Sequence, residues 1–398
     1  MTLTIDTSFF DDQLQSLTEL RHHFHRHPEL GFKEHATSAR VCEELERLDI
    51  PYEKGLGGTG VVATIKGLAA DNGRRIGLRA DMDALPIQEA SDHAHASEVP
   101  GIMHACGHDG HTTMLIGAAR YLARHRDFSG IVYLVFQPAE EGLGGGREMV
   151  KDGLFERYPM DAIYGLHNWP ALPRGQVAIR PGPIMAATDR LDICVRGKGG
   201  HGGVNPHLSI DPVRMAGALI QALHSVVSRD ADPLSPAALS LCGIKGGELD
   251  GFAIIPDEVR LSGTVRTLDL ATQDRIADAI ARTCDGVAAT YGGQIEVDHQ
   301  RIFPATINHP EATQHVIDTA REVLGESALE QEVAPSLGGE DFAFMLEQCP
   351  GAYFFLGSAD TPDTPPLHNA RYDFNDAIIP TGSQLLVAIA LEGLAKAS

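Results

Sequence analysis

Three histidines and a cysteine fall within eight residues in the run Met103-His104-Ala105-Cys106-Gly107-His108-Asp109-Gly110-His111. Thiolate and imidazole at this spacing are donors for a borderline metal such as zinc. The plainer reading is a polar loop whose Asp109 caps a helix predicted from Thr112, which so many donors strain. A second group, Gln137-Pro138-Ala139-Glu140-Glu141-Gly142, leaves the apolar run 131–136. Ligands and catalytic groups favour the carboxyl edge of an α/β sheet. Adjacent residues there point in different directions, so one carboxylate can bind a metal while its neighbour faces water as general base. Paired glutamates are otherwise common on solvated surfaces, but these come just past the end of a run of six apolar residues, with three residues between.

Two more histidines stand in comparable places. His167 lies in Gly165-Leu166-His167-Asn168-Trp169-Pro170, at a strand end, and His368 in Leu367-His368-Asn369-Ala370-Arg371-Tyr372-Asp373-Phe374, a late loop. Either one alone reads more simply as a hydrogen-bonded core or surface residue. Arg79-Ala80-Asp81-Met82-Asp83 follows a short strand, and its carboxylates can orient metal-binding histidines from behind; the alternative is an Asx-type turn before Pro86. Cys106, His108, Glu141, His167 and His368 together exceed what one four-coordinate catalytic zinc needs. They suit two ions sharing a bridge. The chain has neither a His-Glu-x-x-His motif nor a Gly-x-Ser-x-Gly elbow, which disfavours zincin and serine-hydrolase chemistry.

These residues need a frame. Apolar periodicity predicts helices ending near His27-Pro28, over 34–49 and over 112–125, with strands at 60–66, 75–79, 130–136 and 161–166. Strands alternating with helices argue for an α/β domain with a buried central sheet. From about residue 183 the pattern becomes strand 191–195, helix 212–228, strands 238–244 and 258–264, helix 271–291 and strand 294–298. That β-α-β-β-α-β order is ferredoxin-like. The expected organisation is a discontinuous domain of residues 1–184 and 299–398, holding the chemistry, interrupted by an α+β insertion at 185–298.

Composition limits the partners. With 32 Lys+Arg against 54 Asp+Glu, the net charge of −22 opposes nucleic acid and anionic membranes. No stretch is expected to supply the ~20 apolar residues of a membrane span, and residues 1–12 lack a signal-peptide pattern. Six cysteines in 398 residues make no disulfide framework; Cys42, Cys194, Cys242, Cys284 and Cys349 read as small buried hydrophobes. The expectation is a cytoplasmic enzyme.

The motifs resemble the aminoacylase/carboxypeptidase family of co-catalytic metallohydrolases, and within it the branch of hippurate hydrolases, N-acyl-amino-acid amidohydrolases and indole-acetyl-amino-acid hydrolases. The likeness runs from Arg26-His27-Pro28-Glu29-Leu30-Gly31 to Tyr372-Asp373-Phe374-Asn375-Asp376, and is most specific at 103–113 and 138–142. It implies a central mixed sheet flanked by helices, with an inserted lid that also serves homodimerisation. It implies Cys106, His108, Glu141, His167 and His368 as ligands of two divalent ions (Mn²⁺ or Zn²⁺, with Co²⁺ or Ni²⁺ compatible), Cys106 standing where related branches have a bridging aspartate. Glu140 is implied as general base, Asp83 and Asp109 as supporting partners alongside Asp81, and Gly338 and Gly339 as pocket-lining glycines. In the lid, His201 is implied to hold the substrate's carbonyl oxygen, and Arg266 to meet a substrate carboxylate.

The implied reaction is amide hydrolysis of an N-acyl amino acid, a small-molecule substrate. Two lid segments depart from the family pattern: Ala253 stands where relatives carry asparagine, and the loops at 246–252 and 202–207 are longer. These departures point to altered specificity, with a dipeptidase or aryl-amide hydrolase as the catalytic alternative. A non-catalytic metal-binding homologue is the alternative of another class, opposed by the intact Glu140.

Overall fold

The computed structural model describes residues 5–396. The chain opens with helices α1 (Ser8–Arg26) and α2 (His35–Arg47), then strands β1 (Tyr52–Leu56), β2 (Gly60–Lys66) and β3 (Arg75–Asp81). Helix α3 (His108–Arg124) leads into β4 (Ile131–Gln137), β5 (Ala162–Pro173) and the short β6 (Val177–Ala178). Next come β7 (Ala187–Arg196), β8 (Gly200–His201), α4 (Pro212–Asp230), β9 (Ala237–Lys245), β10 (Ile254–Ile255), β11 (Glu258–Thr267), α5 (Leu270–Tyr291) and β12 (Gln294–Phe303). The last stretch carries α6 (Pro310–Leu324), β13 (Leu329–Glu330), β14 (Gly351–Ala359) and α7 (Ile379–Ala395).

The chain divides into two compact units. The first comprises residues up to Ile184, Ile307–Ala334 and those from Asp341 on. Its mixed sheet has the order β1-β2-β4-β3-β5-β14-β6-β13. Neighbours among β4, β3, β5 and β14 are parallel, so their carboxyl ends share one edge. Buried strands of this kind need apolar residues on both faces, and β4 supplies them: only Ile131 of Ile131–Gln137 is not fully buried. The register sets Asp81 opposite Gln137 and Arg79 opposite Gly165, which brings Asp81, the 138–141 turn and His167 to the same edge.

Strand β1, absent from the sequence reading, pairs antiparallel with β2 through the half-exposed residues Tyr52 and Glu53, too short and polar for its pattern to register. Helix α3 begins at His108 rather than Thr112, after Gly107 at φ +88°. A Cβ on Gly107 would lie 2.3 Å from Nδ2 of Asn168 and 2.6 Å from the Tyr372 hydroxyl, so only glycine permits this approach. The expectation of no membrane-length apolar stretch meets one exception. Asp376–Ala395 is long and apolar enough by composition, with 72% of its most apolar window buried inside the protein. It packs as a core helix against α1, α3 and α6.

The second unit spans Met185–Thr306 with Pro335–Glu340. Its antiparallel sheet has the order β9-β11-β7-β12, the strand order of a ferredoxin-like unit, with α4 and α5 on one face over Leu191, Ile193, Val195, Leu261 and Val265. The expected boundary at 298 falls inside β12, which stays paired with β7 as far as Phe303. Residues 335–340, assigned from sequence to the other domain, also belong here, where Ala186 N–H donates to the Gly338 carbonyl at 2.9 Å. Period-2 alternation places Cys194 and Cys242 on the sheet face opposite the helices. Cys194 is therefore half-buried and Cys242 exposed, contrary to the reading of both as core residues. Cys42, Cys284 and Cys349 are buried, and all six thiols are free.

Candidate metal centre

Cys106, His108 and His167 form one donor group in the first unit, and Cys106, Glu141 and His368 another, the donor atoms within each lying no more than 4.8 Å apart. Cys106 is common to both, so its sulfur sits where a bridge between two ions would be. His108, Glu140 and Glu141 make a third overlapping group. All five expected ligands and Glu140 are therefore brought together. Sγ of Cys106 is 3.4 Å from Nε2 of His167, and Oε1 of Glu141 is 3.2 Å from Nε2 of His368 and 3.9 Å from Nε2 of His108.

The surrounding residues fix which atoms face the centre. His167 donates through Nδ1 to the Asn168 carbonyl at 2.6 Å, which leaves the Nε2 lone pair toward Cys106. Asp83 accepts the backbone N–H of both Glu140 and Glu141 at 3.0 Å, and its Oδ1 lies 3.3 Å from Nδ1 of His108. One buried carboxylate thus aims the glutamate pair and a histidine together. Two non-glycine residues sit in the left-handed region here, Ala139 at φ +52° and His368 at φ +61°. Such strain gathers at functional sites, where surrounding contacts hold it; His368 N–H is held by the Ala105 carbonyl at 2.7 Å.

Asp81 serves a different histidine from the expected ones. It accepts from Nδ1 of His111 at 2.6 Å and from Arg79 at 2.7 Å, and stays 3.8 Å from His108. Nε2 of His111 accepts the Asn168 N–H at 2.9 Å, so both ring nitrogens are committed and His111 has no lone pair for a metal. Asp109 is one layer out, bonded to Nδ1 of His25 at 2.8 Å and 3.5 Å from Nη1 of Arg21. Behind Asp81 lies a fully buried network that sequence reasoning missed. Arg79 donates to Gln137 at 2.8 Å and to Asp341 at 3.3 Å, and Asp341 also accepts from Gln137 at 2.6 Å and from Gly146 N–H at 2.7 Å. The available signal was Arg79, a charged residue between Leu78 and Ala80 in an apolar strand.

The donor set fits a pair of divalent ions. Nε2 of His108 is buried with no hydrogen-bond partner, a costly state unless something else binds it. The local field also favours cations. Burial alone would depress His108, yet Asp81, Asp83 and Glu141 carry it up to about 10. Burial, with Glu141 and Glu140 nearby, pushes the Cys106 thiol well up. A cation in this centre reverses that cost and favours the thiolate. His167, by burial and the neighbouring His111, is held well below the usual histidine range and keeps its lone pair.

His201, Arg266, Gly338 and Gly339 belong to the second unit. His201 is exposed, opposite Ile254 in the β8–β10 ribbon. Its Nδ1 accepts the N–H groups of Gly203 and Val204 at 3.1 and 3.2 Å. The neutral ring therefore carries its proton on Nε2, as a donor. Nη1 of Arg266 bonds the Thr188 hydroxyl, and a Cβ on Gly339 would lie 3.2 Å from that Nη1 and 2.3 Å from Thr188 Oγ1. Arg266 and Gly339 are thus adjacent, with glycine required beside the guanidinium.

His25 yields a pH prediction. Burial lowers its pKa, but Asp109 and Glu89 outweigh burial and raise it to about 9. With the folded value above the unfolded value of ~6.5, its contribution is complete below pH 6.5 and lost as pH rises through 9. In urea unfolding, the stability deficit of His25→Gln is expected to be largest below pH 6.5 and to narrow by pH 9.5. A deficit independent of pH would remove the charged role given to His25.

The sequence matches the profile described as peptidase family M20/M25/M40 over residues 77–392. A hippurate hydrolase of Campylobacter jejuni is 39% identical over 376 residues, covering 94% of this chain and 96% of the relative. An N-acetylcysteine deacetylase of Bacillus subtilis is 38% identical over 381 residues, covering 94% and 96%. Among solved structures, the Bacillus subtilis YxeP protein, described as a dinuclear metal-binding peptidase of the M20 family, superposes with a TM-score of 0.82 at 33% identity, covering 98% of this chain and 99% of that one. The chain belongs to peptidase family M20/M25/M40 and is a hydrolase acting on amide bonds.

Proposed function

We propose that this hydrolase cleaves the amide bond of N-acyl amino acids, giving a carboxylic acid and an amino acid, with Glu140 as general base. The observation that carries the reading is the placement of Glu140. Its N–H is pinned by Asp83 beside Glu141, and its carboxylate falls within 4.8 Å of the His108 and Glu141 donors. Cys106, His108 and His167, and Cys106, Glu141 and His368, make up the two groups that share the sulfur, with Glu140 beside them in the third.

Cys106, His108, His167, Glu141 and His368 would hold two divalent ions, with Mn²⁺ and Zn²⁺ the first candidates for mixed S, N and O donors. Bound there, the ions supply Lewis acidity toward the scissile carbonyl and toward water. Glu140 accepts the water's proton on its carboxylate and returns it to the leaving nitrogen, so the amine departs neutral. Asp83 keeps the carboxylate at its post through the two backbone N–H groups. His201, with its proton on Nε2, donates to the carbonyl oxygen as negative charge develops there. Arg266 receives the carboxylate of the amino-acid half, a charge-assisted contact that draws an anion against the overall negative charge.

The names of two relatives, a hippurate hydrolase and an N-acetylcysteine deacetylase, support N-acyl amino acids as the substrate class. If His201 acts on the developing oxyanion, His201→Ala lowers kcat by about 10²–10³ with a far smaller change in KM. A KM change alone would make His201 a binding residue only. Substrate class is tested by following amine release from N-acetyl-, N-benzoyl- and indole-acetyl-amino acids, dipeptides and anilides. Turnover concentrated in one N-acyl series supports the proposal. Turnover confined to dipeptides or anilides would transfer it to the catalytic alternative, to which Ala253 and the fully exposed loop residues Leu249 and Phe252 would then belong.

A further inference from the structure

A second cluster of metal-binding side chains lies in the first unit, outside the Cys106 centre. His93 and His95 stand two residues apart in the segment between β3 and α3, and Asp373 lies in the loop that also carries His368. Ligating atoms of the three fall within 4.8 Å of one another. Nε2 of His95 is 3.1 Å from each Asp373 oxygen, and Nε2 of His93 is 3.7 Å from Oδ2. Two ligands about 2.1 Å from a tetrahedral zinc are separated by roughly 3.4 Å, so these spacings bracket what a shared ion needs.

Arg21, fully buried, spends two hydrogen bonds on Asp376 and one, at 2.9 Å, on Oδ1 of Asp373, and its Nη2 lies 3.3 Å from Nε2 of His95, a contact an ion at His95 would have to displace. Oδ2 of Asp373 is left toward His93. The His93 and His95 rings are parallel, 5.2 Å apart with an interplanar angle of 1°. His22 stacks against His95 at 3.8 Å and is itself committed to Asp376 at 2.9 Å. The paired charges of Asp373 and Asp376 offset the guanidinium, so an ion here does not face an uncompensated cation. The His93 side chain is 41% exposed, that of Asp373 24% and that of His95 12%. An ion can enter from solvent and complete its coordination with water.

We infer that His93, His95 and Asp373 form a third divalent-metal site, separate from the catalytic pair, that takes a borderline ion such as Zn²⁺ or Ni²⁺. Two imidazoles and one carboxylate are the donors such ions prefer. Occupancy ties the segment at 93–95 to the loop carrying His368. A hydrogen-bonded His95–Asp373 pair supporting Arg21 needs no His93, whereas the site requires it.

The test is equilibrium dialysis of the untagged full-length chain against Zn²⁺, with elemental analysis, for wild type, His93→Ala and His22→Ala. The expected result is one more ion per chain in wild type and His22→Ala than in His93→Ala, where that ion binds at least about tenfold more weakly. His93 is exposed, so its removal leaves the fold intact, and the count does not depend on the reaction at Cys106. Equal numbers of ions with equal affinity in wild type and His93→Ala would overturn the inference.

Discussion

With its ions loaded, Glu140→Gln is expected to lower kcat for amide hydrolysis by about 10²–10⁴ while the bound metal per chain stays at the wild-type value. The size follows from the role: glutamine keeps the shape and the backbone contact to Asp83 but cannot take a proton. Metal retention follows from the geometry, because the two donor groups meeting at Cys106 are complete without Glu140. Steady-state kinetics alongside elemental analysis of the same preparation separates the two effects. Near-wild-type turnover would show that Glu140 is not the base. Metal loss with the turnover loss would make it a ligand instead.

Cys106→Ala should be more severe, because one sulfur belongs to both donor groups. Removing it takes a donor from each prospective ion at once, and His111 cannot replace it, since both its nitrogens are already bonded. The expected outcome after dialysis is one or two fewer ions per chain than wild type, with activity reduced more than about 10³-fold at limiting metal. Cys106→Asp, which restores an anionic donor, should recover part of both. An alanine variant that bound as many ions as wild type, with equal affinity, would show that Cys106 is not the bridge.

The donor residues were legible because each stands where an apolar run ends. Glu140 and Glu141 follow β4, His167 lies on the buried part of β5, and Cys106 and His108 precede the apolar body of α3. What escaped depended on distant partners. Arg21 and His25 sit on the apolar stripe of α1 with Leu17, Leu20 and Phe24, and nothing local says why. Their explanation lies in Asp109, Asp373 and Asp376, the last 355 residues away. Asp81 appeared suited to orient a ligand, yet Asn168 and Arg79 make it the partner of His111. The second unit's boundary was placed too early because 299–301 reads His-Gln-Arg, a polar continuation of a strand whose pairing with β7 only the fold reveals. Gly338 and Gly339 were expected as pocket-lining glycines, but Arg266, the neighbour of Gly339, comes from a strand some seventy residues earlier.

The most direct test of the central claim is amine release from an N-acyl amino acid by chelator-stripped protein, followed as Mn²⁺ or Zn²⁺ is added back and bound ions are counted. Expected are no turnover in the stripped protein, recovery as the Cys106 centre fills, and a plateau in rate once its two ions are bound, the His93 site adding to the zinc count but not to the rate. Full turnover by stripped protein, or none across every acyl series with the Cys106 centre filled, would contradict metal-dependent amide hydrolysis at this centre.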